Sequence, residues 1–191
     1  MKTKFKHILV ILCLSMISCE GNLEPELFDQ ITPENFLTNE DDVKTAVTGV
    51  YAEFRGISEW GRYKTSWGSV MTLQEVPTDL WAANWFYKAH TDFMWKATDY
   101  FVCEIFEFFV PAITKATALI ARIQDAPVSD DIKNRYIAEL RVVRALWMYD
   151  LFDLYGPVPA ITDPEKILNP TQDFTVTRPS REEYITFVET E

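Results

Sequence analysis

Apolar side chains recur with a helical period in several stretches of the chain. Val43, Ala46, Val47, Val50, Tyr51 and Phe54 fall at i, i+3, i+4, i+7, i+8 and i+11, which is one face of a helix. Asn39 suits its cap, Glu40, Asp41 and Asp42 suit the positive end of the dipole, and Gly56 stops it. A second pattern covers residues 101–123, with Ile113, Ala116, Ile120 and Ile123 facing inward. Pro111 is expected to bend or restart it. Residues 124–129 then form a short connector containing Pro127. The third pattern covers residues 130–155 and would be roughly 39 Å long as a helix. Its stripe is Ile132, Tyr136, Ile137, Leu140, Val143, Trp147, Leu151 and Leu154. Leu146, Met148, Tyr149, Phe152 and Tyr155 place apolar surface on the other faces too. Such a helix is expected to be sandwiched between neighbours.

Gly156, Pro157 and Pro159 end that helix, and residues 162–179 read as irregular, with Pro164, Pro170 and Pro179. Ser180-x-x-Glu183 is a capping box that opens a further helix, whose stripe starts with Tyr184, Phe187 and Val188. Residues 57–98 hold Trp60, Trp67, Trp81, Trp85 and Trp95 without a sustained period, and Pro77 with Thr78-Asp79 signals turns. Two long helices joined by six residues form an antiparallel hairpin, and burial on several sides implies stacked hairpins. The expected architecture is all-α, tetratricopeptide-like and solenoid-like, with irregular loop excursions. A solenoid that stops at Glu191 without a polar cap reads as truncated at its C-terminal end.

The first residues follow none of these patterns. Lys2, Lys4 and Lys6 precede an apolar run over residues 8–17, broken only by Cys13 and Ser15. The run is short for a membrane span, which takes roughly 20 apolar residues. It suits the core of a secretory signal peptide. Met16-Ile17-Ser18-Cys19 follows, with the polar Glu20-Gly21-Asn22 behind it. A small residue directly before a Cys resembles the lipobox of bacterial lipoproteins, with Met16 in place of the usual Leu. Residues 1–18 are therefore expected to be a lipoprotein signal peptide, Cys19 the lipidated first residue, and residues 19–38 an extended tether to a helical domain over 39–191. Thr32 and Pro33 suit one short helical turn in the tether.

Composition narrows the function. Eighteen Lys+Arg against 29 Asp+Glu leave a net charge of −11, which argues against a nucleic-acid partner. Loss of residues 1–18 removes three Lys and brings the net charge to −14. With 48% hydrophobic and 14% aromatic residues, the chain is not a disordered one. Cys103 is the one thiol left after Cys13 departs and Cys19 is acylated, so no internal disulfide can form; it reads as an apolar-like packing residue. His90 is then the sole histidine and reads as a polar loop residue. No paired-histidine zinc motif, Gly-x-Ser-x-Gly elbow or glycine-rich phosphate loop occurs. The reading is a non-catalytic protein with no metal and no cofactor. Asp150 and Asp153 lie three apart on one helix and do not face each other across a substrate. Arg144 lies on the buried side of the same helix and is expected to pair with a carboxylate of a neighbouring helix.

Three blocks carry a family resemblance. They are residues 32–36 running into Asp41-Asp42 and residues 47–51, residues 113–120 followed by Arg122-Ile123, and residues 138–141 through Arg144-Ala145 and Asp150-Leu151 to residues 155–159. Together with residues 180–188 the chain resembles the N-terminal part of SusD/RagB lipoproteins, the glycan-binding partners of TonB-dependent transporters in Bacteroidetes. Thr117 stands where that family usually has Asn, Phe106 near an expected Trp and Val110 near an expected Tyr. The resemblance implies a tetratricopeptide-like scaffold, lipid attachment at the cell outer membrane facing outward, and capture of glycan for a SusC-like transporter.

Sugar faces stack on flat aromatic rings while Asn, Asp, Gln or Arg bond the hydroxyls, and Trp supplies large area at low entropy cost. Asp79, Trp81, Asn84 and Trp85 lie together in the non-periodic stretch. They either form part of a glycan platform or pack the loop onto the helices. Trp147, on the helix stripe, is expected in the core. The alternative functions are a helical-repeat scaffold that binds protein or peptide, and a lipoprotein glycosidase.

Overall fold

The computed structural model describes residues 36–54, 70–81, 87–168 and 175–191, which from Leu37 onward belong to one compact unit, Leu37–Glu191. The expected signal peptide, Cys19 and all but the last residues of the tether lie outside the described residues, as do Thr32, Pro33 and Gly56. Among the described residues the helices are α1 (Glu40–Ala52), α2 (Val70–Glu75), α3 (Lys88–Thr91), α4 (Tyr100–Asp125), α5 (Asp130–Tyr155), α6 (Pro164–Leu168) and α7 (Arg181–Thr190). No strand occurs among the described residues, so the fold is all-α. None of these helices is long and apolar enough to cross a membrane.

The cap signals work as their chemistry requires. Asn39 Oδ1 accepts the Asp42 amide at 3.0 Å, and Asp42 Oδ2 accepts from the Thr38 amide and hydroxyl at 2.9 and 2.7 Å. These bonds hold the Asp42 carboxyl below its usual range. Ser180 and Glu183 close a reciprocal box, with 3.2 Å to the Ser180 hydroxyl and 2.8 Å to the Glu183 carboxylate.

Helix α4 runs through Pro111 without a break, contrary to the expected restart. Pro111 lies on the exposed side beside Glu107, where water can satisfy the carbonyl that proline leaves unbonded. On the other side Phe109, Ala112 and Ile113 are buried and hold the helix in place. The pair α4/α5 is antiparallel. Lys133 Nζ reaches Gln124 O near the turn at 2.9 Å, Arg144 reaches Thr117 midway at 2.8 Å, and Tyr155 Oη reaches Val102 O at the far end at 2.7 Å. Helix α1 packs on the pair through Phe54, whose ring lies 4.9 Å from that of Trp147. Helix α7 packs on α5, with Tyr184 stacked on Phe152 at 5.5 Å and its hydroxyl donating to Met148 O.

The sandwich expectation for α5 holds on part of its circumference. Met148 is buried, and Phe152 is packed by α7. Val142, Leu146 and Tyr149 instead form an exposed stripe at i, i+4 and i+7, because α1, α4 and α7 lie against other faces.

Two glycines give opposite predictions. Gly49 sits within α1 with nothing within 4 Å of where a Cβ would lie. Gly49→Ala is expected to raise stability by about 0.5–1 kcal/mol, read as a higher denaturation midpoint, because alanine loses less backbone freedom on folding. Gly156 ends α5 at φ 73 and ψ −161, a region open essentially only to glycine. Gly156→Ala should therefore lower stability by about 1–3 kcal/mol in the same titration.

Candidate functional site

The segment between α1 and α4 carries the residues expected to meet a ligand. Val76 is buried beneath the turn after α2, and Thr78 closes it by donating to Glu75 O from both amide and hydroxyl at 3.0 and 2.7 Å. The Thr78 hydroxyl then accepts the Leu80 amide at 3.2 Å. This turn leaves Asp79 and Leu80 exposed, with Trp81 38% exposed behind them. Asn84 and Trp85, the other two expected platform residues, lie outside the described residues.

A second aromatic group forms around His90 and Trp95. Helix α3 ends with Phe93 N donating to His90 O and Met94 N donating to Ala89 O, at 3.2 and 2.7 Å. That pattern is a Schellman cap, whose left-handed position is usually glycine. Phe93 occupies it here at φ 57, a strained conformation for a bulky side chain. The cap turns the chain so that Trp95 lies back over His90, with ring centroids 5.9 Å apart and planes 17° from parallel. Phe93 and Trp95 rings lie 5.5 Å apart, and both are exposed to solvent, Trp95 at 42%. Trp95 and His90, with Leu73, Pro77, Val102 and Tyr155, line a pocket of about 370 Å³.

His90 is not a polar loop residue. It is buried, 4% exposed, in an edge-to-face contact with Phe101 at 5.6 Å, and its Nε2 has no hydrogen-bond partner. A lone polar residue in a short non-periodic stretch gives no sign of which side it faces. Burial lowers its pKa, opposed in part by the Asp99 carboxylate. The unfolded chain takes up this proton near the ordinary 6.5 and the folded chain only at lower pH. Below that value the unfolded state binds more protons, so stability falls on acidification. Thermal melts between about pH 8 and pH 5 should show a decline that His90→Phe flattens. Asp42 and Glu183, whose pKa values are lowered by capping bonds, add their loss only below their ordinary 3.8 and 4.5, as pH falls toward their lower folded values. An equal decline in the variant would remove His90 as its source.

The polar residues of α5 serve the fold. Arg144 Nε and Nη2 donate to Glu191 Oε2 at 2.7 and 2.5 Å, and Nη1 reaches Thr117 Oγ1 at 2.8 Å and Thr162 O at 3.3 Å. The expected pairing with a carboxylate at a neighbouring helix is realised at the end of α7. Thr117, where the resembled family has Asn, is fully buried, and its hydroxyl lies 2.9 Å from Ile113 O and 3.2 Å from Ile161 O. Asp150 is buried while Asp153 is exposed and accepts from Gln74 Nε2 at 2.8 Å, so the two carboxylates do not share a site. Cys103 is half-buried, its thiol donating to Ala97 O at 3.1 Å. Among the described residues no cluster of three or more His, Cys, Asp or Glu is placed to hold a metal ion.

Among known proteins, the chain is similar to a SusD-like protein, P25, of Formosa agariphila, at 24% identity over 175 residues. The match takes in 86% of this chain and 32% of that protein, so the chain spans about a third of the length of the curated relative it matches. No protein-family model matches the chain, and no solved structure matches it.

Proposed function

We propose that this chain belongs to a non-catalytic, lipid-anchored protein of the cell outer membrane that captures glycan at the outer surface. It passes the glycan to a SusC-like TonB-dependent transporter. The observation that carries the reading is the contrast among tryptophans. Trp147 is wholly buried, whereas Trp81 and Trp95 keep part of their rings in solvent on a segment between helices. Half-exposed indoles present apolar area with a polar edge, which is the surface a sugar ring matches. Similarity to a SusD-like protein supports the same class. Asp79, Trp81, Asn84 and Trp85 are proposed as glycan contacts, and Cys19 as the lipidation site behind a signal peptide over residues 1–18.

Affinity-gel electrophoresis against a panel of polysaccharides tests the capture. Retardation of the wild type that weakens in Trp81→Ala, with no release of reducing sugar, is the expected result. Product release would make the protein a glycosidase instead. Labelled palmitate should enter the wild type and not Cys19→Ala, and an unlabelled wild type would refute the anchor. A second reading, a helical scaffold for a protein or peptide ligand, draws on the exposed Val142, Leu146 and Tyr149 stripe. It predicts no retardation by any polysaccharide.

A further inference from the structure

The pocket at Trp95 sits among the end of α2, helix α3, the first turn of α4 and the last turn of α5, and Asp79 and Trp81 are not part of its lining. Its volume of about 370 Å³ lies at the small end of ligand sites, which run roughly 300–1,000 Å³. That size suits one ring at the end of a chain better than the run of a polymer. Trp95 forms part of one wall, and its indole plane is held by stacking on buried His90. The loop that holds it there is strained at Phe93, and strain of this kind concentrates where a surface must be pre-shaped for a ligand.

The lining also excludes charge. Leu73, Pro77, Val102 and Ala97 are apolar, and the Tyr155 hydroxyl is committed to Val102 O at 2.7 Å. Among the described residues no Lys or Arg lines the pocket, Asp99 acts electrostatically on His90, and the chain carries a net charge of −11. An anionic group here would lose its hydration without gaining a cation. A cationic ligand would find the indole but, among the described residues, no lining carboxylate to pair with it.

We propose that this pocket receives one uncharged sugar ring with its apolar face on Trp95, so that the protein selects neutral glycans over uronate or sulfated ones. The proposal rests on the glycan-capture reading above. His90 acts as a positioning residue that sets the indole plane.

Calorimetry on the full chain, with neutral oligosaccharides and their uronate and sulfated counterparts, tests it. Neutral sugars should bind, and Trp95→Ala should weaken them at least about tenfold, since aromatic stacking carries much of such contacts. Ala97→Phe, which fills the pocket while leaving the indole in place, should do the same. Circular dichroism of both variants should match the wild type. Trp95 is 42% exposed, and matching spectra show that the loss is not one of folding. Neutral binding that survives both variants within about twofold would overturn the pocket and leave the capture reading standing. Tighter binding of the anionic series would overturn the charge selection. Choline binding that competes with the sugars would replace the ligand class by a cation. No binding of any glycan would overturn this proposal and the capture reading together.

Discussion

Arg144→Ala is expected to destabilise the protein by about 3–5 kcal/mol, because it removes one partner of a buried charge pair and strands the other. The side chains of Arg144 and Glu191 are 6% and 7% exposed, so water cannot take over for the missing group. The guanidinium also donates to Thr117 and Thr162 O, and it lies over the Phe187 ring at 5.2 Å. One side chain thus ties α4, α5, the segment before α6 and the end of α7 together. Arg144→Lys should recover only part of the loss, since an ammonium cannot span Thr117, Thr162 and Glu191 in one geometry. Replacing both partners by Met should cost less than Arg144→Ala alone, because no uncompensated charge remains. Denaturant unfolding at neutral pH measures all three. Glycan preference should be unchanged, as Arg144 is buried and does not line the pocket at Trp95. A loss below about 1 kcal/mol would mean that the pair behaves like a solvated surface bridge.

Trp147→Ala should cost a comparable amount, about 3–5 kcal/mol, for a different reason. The ring is wholly buried on α5, 4.9 Å from Phe54 after α1 and 6.3 Å from Phe109 on α4. Its removal leaves a cavity where three elements meet, and the flanking rings can close it only in part. Trp147→Phe is the informative control. The indole Nε1 is buried without a partner, a state that costs about 1–3 kcal/mol. Phenylalanine removes that polar atom while keeping most of the ring, so its net cost should be about 1–2 kcal/mol. Denaturant midpoints of the two variants provide the comparison. A Phe variant as unstable as the Ala variant would show that ring shape outweighs the stranded N–H.

Local signals in the sequence carried far in this chain. Helix α5 spans Asp130–Tyr155 as its periodicity required, and α1 and α7 begin at the caps that Asn39 and Ser180 supply. Those signals act within one turn of the chain, so they read correctly without knowledge of the fold. Pro111 shows their limit. The penalty that proline imposes was legible, but its exposure on α4, which lessens that penalty, was not. The apolar residues of α5 foretold burial on several faces, yet could not say that Val142, Leu146 and Tyr149 would lack a neighbour among the described helices.

The candidate site divides in the same way. Composition and residue type already singled out the tryptophan-rich stretch and the unpaired look of Arg144. The sequence alone also set the all-α class, the starts of α1 and α7 and the need of that guanidinium for a carboxylate. Helix α1, however, ends at Ala52, short of Phe54 on its expected stripe. Helix α6 (Pro164–Leu168) forms within the stretch 162–179 that reads as irregular, because a single turn after a proline has too few residues to show a period. Only the tertiary structure decided that the carboxylate is Glu191, that His90 lies buried under Trp95, and that the second aromatic group walls a pocket. Arg144 and Glu191 are 47 residues apart, and Trp95 and Tyr155 reach the same pocket from separate elements. Periodicity reports which face of a helix is apolar, but which faces meet depends on how the helices pack.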